Sequence, residues 1–204
     1  ASGHIGGANE WTERIAHRLG AEPVITTQSD RQGLWALDTL GAEIGWSSET
    51  AGCSMNAAIT TFVNKRPVAL LLEMRTEGTA YLERTHPEHV DLYYRYEDVD
   101  QSRYDLLIAV SYRLLEDLTI PCLYFRPQLL HLGVGCRHQA NPEGVVAYIL
   151  SDIRAKGFAP SAIATINSIE LKRGEPILDE LSQHLGKPCH FYSSDELAAI
   201  EVPN

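Results

Sequence analysis

Short, wholly apolar runs alternate with amphipathic stretches along the chain, and this alternation limits the fold more than any other feature. Val68-Ala69-Leu70-Leu71-Leu72 offers no polar face and Leu106 to Ser111 nearly none, so each reads as a strand covered on both sides. Helical spacing fills the intervals. Trp11, Ile15 and Leu19 form one stripe, closed by Gly20 as a C-cap. Ser54 is placed to cap a second helix with Met55, Ile59, Phe62 and Val63 on its inner face, and Lys65-Arg66-Pro67 ends it. Pro23 to Thr27 and Leu123 to Phe125 read as further strands. A short helix is expected around Gly33 to Leu40, then an irregular stretch to about Ala51. His86 to Asp105 is the most polar region, a loop with an edge strand in which Tyr93, Tyr94 and Tyr96 nearly alternate.

A fresh strand–turn–helix unit begins near Gln128. Leu129 to Val134 is extended, Asn141 is placed to cap a helix with Pro142 at its first position, and Val145, Ile149 and Ile153 mark the core face up to Gly157. Ala162 to Ile169 and Pro188 to Tyr192 read as strands on either side of a helix from Pro176 to Leu185. Ser193 or Ser194 caps a last short helix. The expected class is α/β and multi-domain, with mainly parallel sheets and helices on both faces.

The 204 residues are 44% hydrophobic and 22% charged, ordinary globular composition. The net charge is -10, from 17 Lys and Arg against 27 Asp and Glu, which argues against nucleic acid or an anionic membrane as the main partner. No apolar run approaches the roughly 20 residues that cross a bilayer. Cys53, Cys122, Cys136 and Cys189 lie far apart with no C-x-x-C pair. They read as reduced thiols of a cytoplasmic protein, not as a zinc site or a disulfide framework.

Two glycine turns carry the chemistry-bearing candidates. "SGHIGGANE" and "GVGCRHQANPE" are each followed by a helical pattern, an arrangement that offers backbone N–H groups to a carboxylate or phosphate. Neither matches G-x-x-x-x-G-K-S/T or G-x-G-x-x-G, so no nucleotide is implied, and a tight connection without a ligand explains the spacing equally well. His4 beside the first turn is a candidate base or carboxylate clamp. Cys136 beside Arg137 reads as packing rather than as a nucleophile, since no base for it is identifiable, and His131 reads as a core or edge residue. Arg137, His138, Lys172 and Arg173 are the best cationic cluster in an acidic chain, with solvated surface charge as the alternative.

"SGHIGGANEWTERIAHRLGAEPVITTQSD", "LLHLGVGCR" and "SIELKRGEPILDELSQHLGKP", followed by "FYSSDELAAIEVPN", resemble in that order the CbiG family, the cobalt-precorrin-5A hydrolases of anaerobic cobalamin synthesis. Ile5 departs from the family, which often carries a polar residue there. The last part also resembles the stand-alone CobE proteins. The resemblance implies residues 1–30 as the remnant of an N-terminal domain, 31–127 as a middle domain and 128–204 as an incomplete C-terminal domain. It also implies further sequence before Ser2 and after Asn204, so a longer protein is expected.

What the family implies chemically is a hydrolase acting on an anionic cobalt-tetrapyrrole. Water opens a δ-lactone and acetaldehyde leaves, giving cobalt-precorrin-5B. A non-catalytic tetrapyrrole carrier of the CobE kind is the alternative. Cobalt arrives with the substrate, so no cofactor or metal bound by the protein is expected. Lactone opening needs a base and oxyanion donors. His4 and Glu10 are the candidate bases, and Gly6, Gly7, Asn9, Gly133 and Gly135 the candidate substrate-binding positions on the turns. Arg137 and Lys172 are expected to take substrate carboxylates, with the two turns facing one cleft. Other cobalamin-pathway enzymes or a fused methyltransferase are the expected partners.

Overall fold

The structure is a computed structural model that describes residues 8–23 and 34–200, with only the backbone for residues 8–10. The chain divides into two compact units, Ala1–Ser111 with Leu115–Pro127, and Tyr112–Leu114 with Gln128–Asn204.

The first unit is built on five strands: β1 (Ser47–Ala51), β2 (Val68–Leu72), β3 (Val90–Tyr93), β4 (Leu106–Val110) and β5 (Cys122–Arg126). They lie in the order β1-β5-β4-β2-β3, all parallel except β1, which runs antiparallel to β5 at the edge. The apolar runs are central, as their lack of a polar face requires. Every residue of β2, β4 and β5 is buried. Alternation then divides these side chains between two cores. Val68, Leu70, Leu106, Ile108, Leu123 and Phe125 pack with Leu37 and Leu40 of α2 (Leu37–Glu43), Ala58 and Phe62 of α3 (Met55–Val63), and Leu82 of α4 (Glu77–Thr85). Ala69, Leu71, Leu107, Ala109, Cys122 and Tyr124 face the other way, beneath Val99, Tyr104, Leu115, Leu118 and Ile120. Each Val, Leu, Ile or Phe side chain so buried contributes roughly 1.5–3 kcal/mol.

The second unit holds three parallel strands, β6 (Leu130–Gly133), β7 (Ile163–Ile169) and β8 (Cys189–Tyr192), in that order. Val146 and Leu150 of α5 (Val145–Ala155) and Leu178 and Leu181 of α6 (Pro176–Leu185) pack on Ile166. Residues Tyr112–Leu114 belong here because Arg113 bridges Phe158 and the Leu114 N–H donates to Gly157 O at 2.7 Å.

The class is α/β with mainly parallel sheets, and one detail of the expectation changes. Among the described residues, the helices that feed these cores lie on one face of each sheet rather than on both. In the first unit the second face is covered by loops and 3-10 turns that bring in Val99, Tyr104 and Leu115. The β2–β3 crossover uses one face, and the β3–β4 and β4–β5 crossovers, which run in the opposite direction across the sheet, use the other, with short segments in place of helices on that side.

Helix ends follow local chemistry. Gly20 (φ +63) closes α1 (Ala8–Leu19), with the Ala21 N–H donating to Ala16 O at 2.9 Å. Ser54 Oγ accepts from the Ala57 N–H at 3.2 Å, and Ser193 caps α7 (Ser194–Ala198). Trp11, Ile15 and Leu19 are exposed. Three expectations change. The stretch expected to be irregular up to Ala51 ends in β1, whose Ser-Ser-Glu-Thr-Ala sequence lacks strand propensity and is held by its pairing with β5. A helix also forms over Glu77–Thr85, where none was expected, started by a reciprocal Thr76–Thr79 capping box. Asn141 does not cap α5. Its Oδ1 accepts from the Glu143 N–H in a local turn, and Gly144, left-handed at φ 73, stands before the first helical residue, Val145. The strand expected over Pro23 to Thr27 lies almost wholly outside the described residues.

Candidate functional site

Parallel strands send their following loops out at one edge, and in the second unit that edge gathers the cationic candidates. The chain leaves β6 at Gly133 and β7 at Ile169, and the first of these loops is latched onto β7. The Val134 N–H donates to Asn167 O at 2.9 Å, and Ser168 Oγ donates to Val134 O at 2.8 Å. Arg137 is exposed on the loop after β6, and Lys172 follows β7 in a single 3-10 turn. Both therefore stand at the carboxyl edge of this sheet. Gly133 and Gly135 are exposed on the same edge. They do not lie at a helix start, because α5 begins only at Val145. The helix dipole therefore lends this turn nothing.

Glu175, which the sequence reading did not single out, ties the two loops together. Its side chain is 3% exposed, with His138 Nδ1 2.9 Å from Oε1 and the Gln139 backbone N–H 2.7 Å from Oε2. A carboxylate only accepts, so the His138 Nδ1–H is the donor. Lys172 Nζ lies 3.7 Å from Oε1. The His138 hydrogen bond, with help from Gln139 and Lys172, holds the Glu175 carboxyl below the usual range against the opposing effect of burial. Gln139 accepts φ +51 to deliver its N–H. Arg173 stacks over Phe191 at 4.6 Å to the ring centroid and links the β7 loop to β8. Lys172 is thus partly engaged inside the protein, and Arg137 is the more exposed cation.

The open face of this sheet is polar. His131, expected in a core or at an edge, is exposed with Nδ1 2.7 Å from Thr165 Oγ1, and Asn167 Nδ2 donates to the same oxygen at 3.0 Å. Cys136 is half-buried, and all four cysteines are free thiols. Burial pushes the Cys122 thiol up to about 12, which removes it as a nucleophile near neutral pH.

The first unit carries a second polar group at the equivalent edge, which the sequence reading also missed. Glu73 follows β2, Ser111 follows β4, and Arg126 ends β5. Ser111 Oγ donates to Glu73 Oε2, and Arg126 Nη1 donates to Ser111 O at 2.9 Å. Arg126 Nε reaches Glu49 Oε2 at 3.1 Å, and its guanidinium lies 3.8 Å above the Tyr124 ring centroid. Ser111 and Arg126 are 0% and 1% exposed. The only sequence signal was a charged or polar residue closing each apolar run.

His4, Gly6 and Gly7 lie outside the described residues. Asn9 and Glu10 fall on the α1 backbone, with their side chains outside the described set.

Three family models match the chain in order: "Cobalamin synthesis G N-terminal" over residues 1–30, "Cobalamin biosynthesis central region" over 35–127 and "Cobalamin synthesis G C-terminus" over 130–204. Two curated relatives align along nearly the whole chain. The cobalt-precorrin-5A hydrolase of Priestia megaterium is 29% identical over 205 residues, covering 98% of this chain and 54% of the relative. That of Salmonella typhimurium is 32% identical over 203 residues, covering 98% and 56%. Protein CobE of a Sinorhizobium species is 30% identical over 70 residues, covering 34% of this chain and 46% of its own length. The chain spans about half the length of the two hydrolases it matches. With all three models matched in sequence order, this chain belongs to the CbiG family of cobalamin biosynthesis.

Proposed function

We propose that the protein is a cytoplasmic cobalt-precorrin-5A hydrolase that opens the substrate's δ-lactone with water and releases acetaldehyde, giving cobalt-precorrin-5B. The observation that carries this reading is coverage. The two relatives named as hydrolases align with 98% of the chain, whereas CobE, the basis of the carrier alternative, aligns with 34%.

In this reading the carboxyl edge of the second unit binds the anionic rim of the macrocycle. Arg137 takes a carboxylate through its forked N–H groups, and Lys172 adds charge while keeping its contact with Glu175. The glycines at 133 and 135 let backbone approach the ligand without a Cβ in the way. Cobalt is part of the substrate and is not held by protein ligands. Within residues 1–30, the stretch matched by the N-terminal family model, Gly6, Gly7 and Asn9 contact substrate, and His4 and Glu10 are alternative candidates for the base.

Incubating cobalt-precorrin-5A with the purified full-length protein, followed by mass spectrometry, tests the reading. The expected outcome is a product that has taken up water and lost acetaldehyde. Tight binding with the tetrapyrrole unchanged would favour the carrier, and failure to bind would contradict both.

A further inference from the structure

The first unit has a topological switch point, and its polar group sits there. From β2 the chain crosses through α4 to β3 on one side. It then returns to place β4 on the other side of β2. α4 packs on the first core through Leu82, while the segment after β4 packs on the second core through Leu115 and Leu118. The chain therefore leaves β2 and β4 toward opposite faces, at a switch point beyond their carboxyl ends. That is where open α/β sheets place their ligands.

Glu73 and Ser111 are the two residues that leave these diverging strands. The β2–β4 register pairs Leu72 with Val110, and continuing it sets Glu73 beside Ser111. The Glu73 N–H donates to Val110 O at 3.2 Å, and the Ser111 N–H donates to Phe125 O at 3.3 Å, so both backbones are fixed by the sheet. Ser47, in register with Arg126, continues the row across the sheet. Its Oγ is buried with no hydrogen-bond partner among the described residues. A half-buried carboxylate is thus held on a rigid strand end by a buried serine, whose own carbonyl is held by a buried arginine.

We propose that Glu73 is the base that activates water for lactone opening, and that Ser111 is the residue that positions it. This rests on the hydrolase reading above. Glu73 takes a proton from water as the water oxygen bonds to the lactone acyl carbon. The acyl carbon–ring oxygen bond then breaks, and the departing alkoxide receives that proton from Glu73. No oxidant, reductant or metal bound by the protein enters the balance. Ser111 Oγ fixes the carboxylate rotamer and does not touch the lactone.

The test uses full-length protein with cobalt-precorrin-5A, and compares wild type, Glu73→Gln, Ser111→Ala, Ser111→Thr and His4→Ala. Glu73→Gln keeps the shape of the side chain and is expected to lower kcat by roughly 10²-fold or more with KM within about twofold. Ser111→Ala is expected to lower kcat by about tenfold at unchanged KM, with recovery in Ser111→Thr, which restores the hydroxyl. Should Glu73→Gln lose its folded circular dichroism, Glu73→Ala with added formate replaces it, and formate-dependent recovery of turnover is expected. Full turnover in a folded Glu73→Gln protein, or loss in His4→Ala alone, overturns the assignment and leaves the hydrolase reading standing. A wild-type protein without turnover overturns both.

Discussion

Arg126 closes β5 with its side chain 1% exposed, and its Nε meets Glu49 Oε2 at 3.1 Å across the antiparallel edge pair. A buried guanidinium that loses a carboxylate contact keeps the cost of its desolvation. Glu49→Gln is therefore expected to destabilise the first unit by about 1–3 kcal/mol, short of the roughly 3–5 kcal/mol of a fully buried pair because Glu49 is 42% exposed. Adding Arg126→Met should recover part of the loss, since it removes the buried charge but also the Nη1 hydrogen bond to Ser111 O. Urea denaturation of the four proteins of this cycle checks it, and additive losses would mean that the pair is not coupled.

Glu175 makes the stability of the second unit depend on acid. Its carboxyl is held below the ordinary range mainly by the His138 hydrogen bond, with Gln139 and Lys172 assisting. A depressed carboxylate contributes stability that is complete above the unfolded value of about 4.3 and is lost as pH falls through the lower folded value. Thermal unfolding followed from pH 6 downward should show a decline that Glu175→Gln, already weakened at pH 6, does not share. Parallel declines in the two proteins would show that the coupling lies elsewhere.

Gly78 lies in the first turn of α4, and a Cβ there would stand 2.5 Å from Trp46 Cζ2 and 2.8 Å from Cη2. Alanine is normally the better helix former by up to about 1 kcal/mol, yet overpacking of this kind costs about 1–3 kcal/mol. Gly78→Ala is expected to be destabilising in urea titration. Combining it with Trp46→Leu should remove the clash, so the double variant should be more stable than the two single losses add up to.

Arg137→Ala and Lys172→Ala are each expected to weaken binding of the tetrapyrrole by about 1.5–3 kcal/mol if each holds a carboxylate. The effect of Arg137 should fall with added salt, since that side chain is exposed. Fluorescence-quenching titrations measure both. Unchanged affinity in the two variants would leave them as solvated surface charge.

The sequence was most legible where a single local rule decides the outcome. Val68 to Leu72 and Leu106 to Val110 have no polar face, and they occupy the middle of the sheet. Ser54, Gly20 and Gly157 act through their own side chain or φ, and each marks a helix end. β1 was not legible, because its Ser-Ser-Glu-Thr-Ala sequence becomes a strand only through pairing with β5, far along the chain. The Glu175 clamp and the Glu73–Ser111–Arg126 row have the same origin. Each joins residues that are ordinary in isolation, brought together by parallel register and crossover direction. His138 and Lys172 stand out in the sequence as basic residues, but the buried acid that orders them sits at an ordinary-looking position before Pro176.

Isotopic labelling tests the central claim, hydrolysis by this protein, most directly. Turnover of cobalt-precorrin-5A by the full-length protein in water enriched in heavy oxygen should place one heavy oxygen in the carboxylate freed from the lactone. Acetaldehyde should be released in equal amount. A macrocyclic product without the label, or substrate recovered intact after binding, would contradict the account.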